Sequence, residues 1–440
     1  MMKIFLKALE DKDFSEIFKK GGVSFLMRIV GQIMGFVITF IIAHYFGAKG
    51  LGDYVLAIIV LRLFVLIAKL GMDVVSIKFI AFFYSKKEWG SVLLFKKRIF
   101  ILFSISSLFF SVLLFYSSNE IESLIGVNPF YLRLNSFFIF PMGLFMINYQ
   151  SLRGMKKITE YSFLFWVSRI FFSVVAILIA VNFSKHPDIP IYAFLIGLII
   201  SSLLSTYLFY INVPKEDQKV RVSKEITNKE ILKVSLPLMF AQSGQLIMVW
   251  SDKLMLGGLM TTGDVGVYDV IFKISLLMSI PLTSITSVSA PKFAEVYETN
   301  DLSRLKKITH NSSKLVFLIS LPIFLLFMFF SDKILAIFGS DFLSGIVALY
   351  FLLIARFIGA ISGIAGNLLQ MADRQVIFMR ILFIGAILNI GLNYILIPIY
   401  GIIGASIASM FSIVFWNFLM VYFVWKEFNF MSIYLPLFKR

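Results

Sequence analysis

The sequence predicts an all-α polytopic membrane protein, with twelve transmembrane helices in two six-helix bundles. Three observations lead there. Of 440 residues, 59% are hydrophobic and only 15% are charged, more apolar surface than a soluble fold of this size can bury. Apolar segments of the ~20 residues needed to cross a bilayer recur along the whole chain. The segments between them alternate between basic and nearly uncharged, as loops on opposite sides of a membrane do.

The twelve spans are expected at 23–46, 53–83, 99–117, 131–152, 161–183, 191–212, 234–258, 265–290, 315–331, 346–371, 375–398 and 404–425. The first apolar run, starting near Val23, is too long for a signal-peptide core and has no clear cleavage site. Before it, Phe5, Leu6, Leu9, Phe14, Ile17 and Phe18 alternate with lysines, a pattern suited to an amphipathic helix lying on a membrane surface. The polar stretch 213–233 reads as a linker between an N-terminal bundle, 1–212, and a C-terminal bundle, 234–440. Pro141, Pro281 and Pro322 are expected to interrupt the fourth, eighth and ninth spans.

With the N-terminus placed inside, the inner segments carry twenty-eight lysines and arginines and the outer loops three, Lys49, Lys185 and Lys333. Lys96, Lys97 and Arg98 are counted as inner-loop charges in that sum. Both termini are therefore expected in the cytoplasm. The formal charge of +16 follows from this topology, and nucleic acid is not needed to account for it. The halves share a weak repeat: Phe46-Gly47 through Gly52-Asp53-Tyr54 after the first span is echoed by Gly263-Asp264-Val265-Gly266-Val267-Tyr268 after the seventh. Two halves that both start inside and cross six times are parallel repeats, an arrangement that places a substrate path between bundles.

Charges inside the spans point to function. Arg28, Arg62, Lys69, Lys78, Arg133, Arg169, Lys253, Lys273, Arg356 and Arg380 lie in apolar segments that contain four acids, Asp53, Asp73, Asp252 and Asp269. Each such charge costs roughly 2.5–3.5 kcal/mol at the bilayer centre unless it finds a partner, water or a ligand. The excess of bases suggests a polar route lined for an anion. In the second span Arg62, Lys69 and Asp73 fall on one helical face, with Lys69 and Asp73 paired at i,i+4. Asp269 and Lys273 repeat that pairing in the eighth. The first span sets Arg28, Gln32 and Gly35 on one face, and the seventh sets Gln242, Gln245 and Asp252 together with Lys253 beside them. The tenth aligns Arg356, Gly359, Gly363, Asn367 and Gln370, and the eleventh carries Asn389 and Asn393. Glycine and asparagine in such stripes also serve plain helix–helix packing.

Candidate substrate-binding residues are thus Arg28, Arg62, Lys69, Lys273, Arg356, Gln242, Gln245, Asn367 and Asn393, with Asp73, Asp252 and Asp269 as candidates for coupling to protons or sodium. No cofactor is expected. There is no G-x-x-x-x-G-K-[ST] sequence for an internal ATPase, cysteine is absent, and Asp11-Lys12-Asp13 stands alone in a short tail. A polymerase or ligase acting on the outer face would need a larger outer loop. A drug/cation antiporter would want a net acidic cavity, and an inert scaffold would not retain ten intramembrane bases.

Several stretches resemble the polysaccharide (O-antigen and exopolysaccharide repeat-unit) flippases of the multidrug/oligosaccharidyl-lipid/polysaccharide exporter superfamily. They are Leu388 through Pro398 with Gly401 through Ala408, the turn Ile42 through Tyr54, Asp252 through Gly257 with Gly266-Val267-Tyr268, and Ala290 through Glu295 as the connection between the eighth and ninth spans. His44 stands where relatives often have arginine. The resemblance implies a MATE-like fold, with two bundles around a V-shaped central cavity. It also implies translocation of undecaprenyl-pyrophosphate-linked oligosaccharide from the cytoplasmic to the outer leaflet of a bacterial inner membrane, for surface polysaccharide synthesis. The implied partners are the lipid-linked substrate, membrane lipid, a polysaccharide polymerase and a chain-length regulator. Related lipid II flippases use cavity arginines on spans one, two and eight, where this chain has Arg28, Arg62 and Lys273. Those relatives have fourteen helices, so twelve favours the polysaccharide branch.

Overall fold

In the computed structural model, residues 12–214, 226–299 and 301–434 are described, with the side chains of 12–20 and 241–248 left aside. The amphipathic stretch before residue 12 and most of the polar linker lie outside the described residues. Every regular element among those described is helical. The chain forms two compact units, one of Met1–Phe46 with Asp53–Leu246 and the other of Gly47–Gly52 with Ile247–Arg440.

The first unit begins with α1 (Lys12–Ala68), α2 (Met72–Ser85) and α3 (Trp89–Tyr116). From Gly21 on, α1 runs 48 residues, about 70 Å at ~1.5 Å per residue and more than two bilayer cores. Gly47, at φ 68°, divides it into two spans. The second expected span is not one helix. It breaks at Leu70 and Gly71, both at positive φ, because a Cβ on Gly71 would lie 2.2 Å from the Ser235 carbonyl oxygen. Only a glycine lets the two backbones come so close. The third span starts ten residues earlier than expected, so Lys96, Lys97 and Arg98 belong to the first turns of α3 rather than to a loop.

Two short helices, α4 (Ser118–Ile125) and α5 (Pro129–Ser136), lead into α6 (Ile139–Gly154), bent by 52° from α5. The missing donor of Pro141 leaves the Phe137 carbonyl free just where that bend falls. The fifth span is α7 (Ile158–Ser162), a π-helical stretch at Phe163–Ser168 and α8 (Arg169–Ala180). The sixth is α9 (Ile189–Ile211). Within the unit α6 packs against α2, α3 and α9, and α8 packs against α9. Gly143 receives the ring of Phe103, and Gly197 lets α9 approach α8 at Ser173.

The second unit takes the end of α10 (Asn228–Leu259), then α11 (Thr262–Leu276), a 3-10 turn at Leu277–Ser279 and α12 (Ile280–Glu298). Pro281 accounts for that turn, as expected. Pro291 lies inside α12 rather than in a connection, and Pro322 sits within an unbroken α13 (Leu302–Phe329), so it interrupts nothing. After α14 (Ser331–Ala336), the tenth span divides at Gly363 into α15 (Ile346–Ser362) and α16 (Ile364–Met371). The last helix, α17 (Gln375–Phe428), is 54 residues long and divided at Gly401, φ 57°. With α1 and α17 each read as two spans, and with the bent α5–α6 pair and α10 counted, the described helices accommodate twelve crossings. In this unit α15 packs on α11, α13 and α17. Phe293, Leu305, Ile364, Leu368 and Val424 fill the apolar core.

The two echoing glycine turns meet inside this unit. A Cβ on Gly52 would lie 1.6 Å from the Thr262 carbonyl oxygen, and one on Gly266 would lie 2.0 Å from that of Ala48. The repeat noticed in sequence is thus a backbone crossing that only glycine permits. Thr261 closes it with a capping box, donating to and accepting from Asp264.

Candidate functional site

In the first unit the Lys69 ammonium lies 2.6 Å from Asp73, with both side chains 3% exposed. The pair forms as expected, but across the break at Leu70–Gly71. Arg62, Lys69 and Asp73 therefore do not share one continuous helical face. The second Asp73 oxygen, Oδ1, is buried with no hydrogen-bond partner among the described residues. Arg62 is half-buried, and Arg28 is exposed with its guanidinium 5.4 Å over the Trp166 ring in the π-helical stretch. Arg169, immediately after that stretch, stacks 5.4 Å over Phe194 and keeps a buried, unpartnered Nε.

A buried group missed by the sequence reading is Lys96. It is 4% exposed, donates to Asn148 Oδ1 at 2.5 Å and lies 4.7 Å over Phe209. Asn148 in turn donates to Ser205 and Thr206. No single-sequence signal separates it from its neighbours Lys97 and Arg98.

The second unit holds a denser polar core. Asp252, 3% exposed, is held by neutral donors: Asn393 Nδ2 at 2.7 Å, Tyr268 Oη at 2.7 Å and Ser409 Oγ at 2.6 Å. Asn389 Oδ1 accepts from Asn393 and from Ser251, each at 3.2 Å. Beside this cluster Asp269 stands between two lysines, Lys253 and Lys273, each at 2.6 Å. The expected Asp269–Lys273 pair is therefore one side of a triad. Phe272 carries two cations near its ring, Lys253 at 4.8 Å and Arg356 at 5.1 Å. Lys253, Lys273 and Arg356 against Asp252 and Asp269 leave this core one positive charge in excess.

The expected stripe of the tenth span lines a cleft of about 250 Å³ in this unit. Arg356 stands toward one end and Gln370 toward the other, with Gly359, Gly363 and Asn367 between, faced by Asn417 and Trp416. Gly359 and Gly363 admit Ile413 and Leu282 so closely that a Cβ would lie 3.2 and 2.4 Å from them. The stripe thus serves packing and the cleft together. Gln242 and Gln245 lie outside the described side chains. Tyr268, Ser409 and Asn417, absent from the expected set, complete the polar groups. Their types are too common in membrane helices to single them out without the fold.

Residues 17–297, more than half of the 440, match the model of the family described as polysaccharide biosynthesis protein, and residues 237–395 match that of MatE. The "Probable low-salt glycan biosynthesis flippase Agl15" of Haloferax volcanii is 27% identical over 164 residues, covering 37% of this chain and 35% of that protein. The chain thus matches about a third of the length of that relative. Two solved structures share the fold over nearly the whole chain. One is an inward-facing multidrug resistance MATE family transporter of the MOP superfamily, with TM-score 0.70, 16% identity and coverage of 92% of this chain and 98% of that one. The other is the lipid II flippase MurJ in an inward closed conformation, with TM-score 0.70, 18% identity and coverage of 94% and 89%. A match that takes in the first unit from residue 17 on and runs into the polar core of the second settles the affiliation: the chain belongs to the polysaccharide biosynthesis protein family.

Proposed function

We propose that the protein is a flippase, carrying undecaprenyl-pyrophosphate-linked oligosaccharide repeat units from the cytoplasmic to the outer leaflet by alternating access. The observation that carries this reading is the positive excess among spanning side chains, set beside a cleft of amides and one guanidinium. A pyrophosphate–sugar head cannot cross hydrocarbon alone, whereas its polyprenyl tail can stay in lipid. Arg62 and Lys273 are assigned to the pyrophosphate, with Arg28 and Lys69 as supporting charges. Asn367 and Asn393 are assigned to sugar hydroxyls, with Gln242 and Gln245. The flippase name of the Haloferax volcanii relative supports the reading, and the basic balance argues against a carrier of cationic drugs. A polymerase and a chain-length regulator are proposed partners, and both termini are proposed to face the cytoplasm. Outward movement of each negative charge gains ~2.3 kcal/mol per 100 mV where the cytosol is negative.

For ion coupling Asp252 is the best placed of the three acids. Asp73 and Asp269 are already met by lysines, whereas Asp252 is held by hydroxyls and amides alone. The Tyr268 and Ser409 hydroxyls can turn to offer lone pairs to a bound cation.

The test is flipping of a fluorescent lipid-linked oligosaccharide in vesicles with an imposed potential. Arg62→Ala with Lys273→Ala should abolish transport while the protein stays in the membrane, and normal transport by that pair would end the pyrophosphate assignment. Asp252→Asn should remove any sodium or proton dependence.

A further inference from the structure

The two acids of the second unit's polar core are already engaged. Lys253 and Lys273 share Asp269, and both oxygens of Asp252 are taken by Asn393, Tyr268 and Ser409. Among the described residues no carboxylate lies within ion-pair distance of Arg356, and its buried Nε has no hydrogen-bond partner. Its guanidinium lies 5.1 Å over the Phe272 ring and close enough to Asp252 and Tyr268 to feel their charge, but among the described residues no hydrogen bond takes up its edge. That guanidinium, with no carboxylate in ion-pair contact, lines the cleft.

The other polar groups of the cleft have one shared property. Asn367, Gln370 and Asn417 each donate their amide nitrogen to a carbonyl four residues earlier in their own helix, at 3.2, 3.2 and 2.8 Å. Their amide oxygens accept nothing among the described residues. They are acceptors waiting for donors, and hydroxyl groups are such donors. Trp416 and Phe378 add aromatic walls. At about 250 Å³ the cleft is smaller than the ~300–1,000 Å³ of drug-sized sites, which suits one or two sugar rings rather than a long glycan.

We propose that the Arg356 cleft recognises a sugar ring bearing one carboxylate, so that the protein prefers acidic over neutral saccharides. A carboxylate is planar, singly charged and matched to the fork of a guanidinium. A pyrophosphate would bring more charge than one arginine balances and no hydroxyls for the three amide oxygens. The inference rests on the flippase reading for its biological sense but not for its test.

The test is binding to the purified full chain in nanodiscs, read by tryptophan fluorescence, with methyl glucuronide, methyl glucoside and inorganic pyrophosphate as probes. Glucuronide should bind about tenfold or more tighter than glucoside, as one charge-assisted contact provides. Arg356→Gln should bring the ratio near one. Gln370→Glu, an exposed position at the far end of the cleft, should narrow the preference, and it decides the matter if Arg356→Gln does not fold. Equal binding of the two glycosides by the unaltered protein, tighter binding of pyrophosphate than glucuronide at the same site, or an unchanged ratio in the variants would overturn the proposal. Discrimination without lipid flipping would sink the flippase reading alone, and flipping without discrimination would sink this inference alone.

Discussion

At the scale of single residues, the Lys253–Asp269–Lys273 triad makes a sharp prediction. Removing Asp269 takes the carboxylate away from the buried Lys253 and from the half-buried Lys273, whereas removing Lys253 leaves Asp269 with Lys273. Asp269→Asn should therefore cost about 3–5 kcal/mol, the usual effect of breaking a buried pair. Lys253→Met should cost distinctly less, and the double variant should recover part of the loss, as coupled neighbours do. Thermal melting in detergent, read by size-exclusion, checks the order of the three. The i,i+4 half of this triad was legible in the sequence, because helical spacing alone brings Asp269 beside Lys273. Lys253, sixteen residues away, could not be joined to it without the packing of α10 on α11. The same holds for Asp252: its charge was visible, but Tyr268 and Ser409 come to it through tertiary contact. Lys96 was misread for a different reason. Charge counting sends lysines to loops, and nothing in a sequence shows that Asn148 waits with an acceptor inside the membrane.

At the scale of elements, the breaks carry the prediction. Gly52→Ala and Gly266→Ala place a methyl group inside van der Waals contact of a neighbouring carbonyl, and backbone cannot yield as a side-chain tip would. Each should abolish well-folded protein, seen as loss of the monodisperse peak of a fluorescent fusion. Gly35→Ala and Gly391→Ala, with nothing within 4 Å of the added carbon, should behave as the parent. Hydropathy found the apolar helices because a bilayer sets their length. It missed the interruptions at Gly71 and Gly363 because it sums side-chain transfer energies and carries no term for backbone dihedrals. Proline signals fared unevenly for a physical reason. Pro141 and Pro281 coincide with a bend and a 3-10 turn, whereas α13 passes Pro322 without a break.

At the scale of the whole molecule, the excess of basic residues on alternate segments predicts the topology. Reporters fused after Asn128 and after Ser340 should read as external, and one after Lys157 as cytoplasmic. An internal signal at Asn128 would overturn the assignment. The burial of Lys96 trims that charge asymmetry without reversing it. Membrane potential should then speed transport of an anionic head group, and collapsing it with an ionophore should slow transport in vesicles that retain their protein.

The π-helical stretch at Phe163–Ser168 sets the register of the residues on either side of it. Such a wider turn holds one residue more than an α-helix would place there. Deleting Val167 should let the helix run through in plain α register. Everything on one side of the cut would then rotate by about 100° relative to the other. Arg169 would lose the Phe194 ring, or Trp166 would lose Arg28, and the variant would show which of the two partnerships depends on the extra residue.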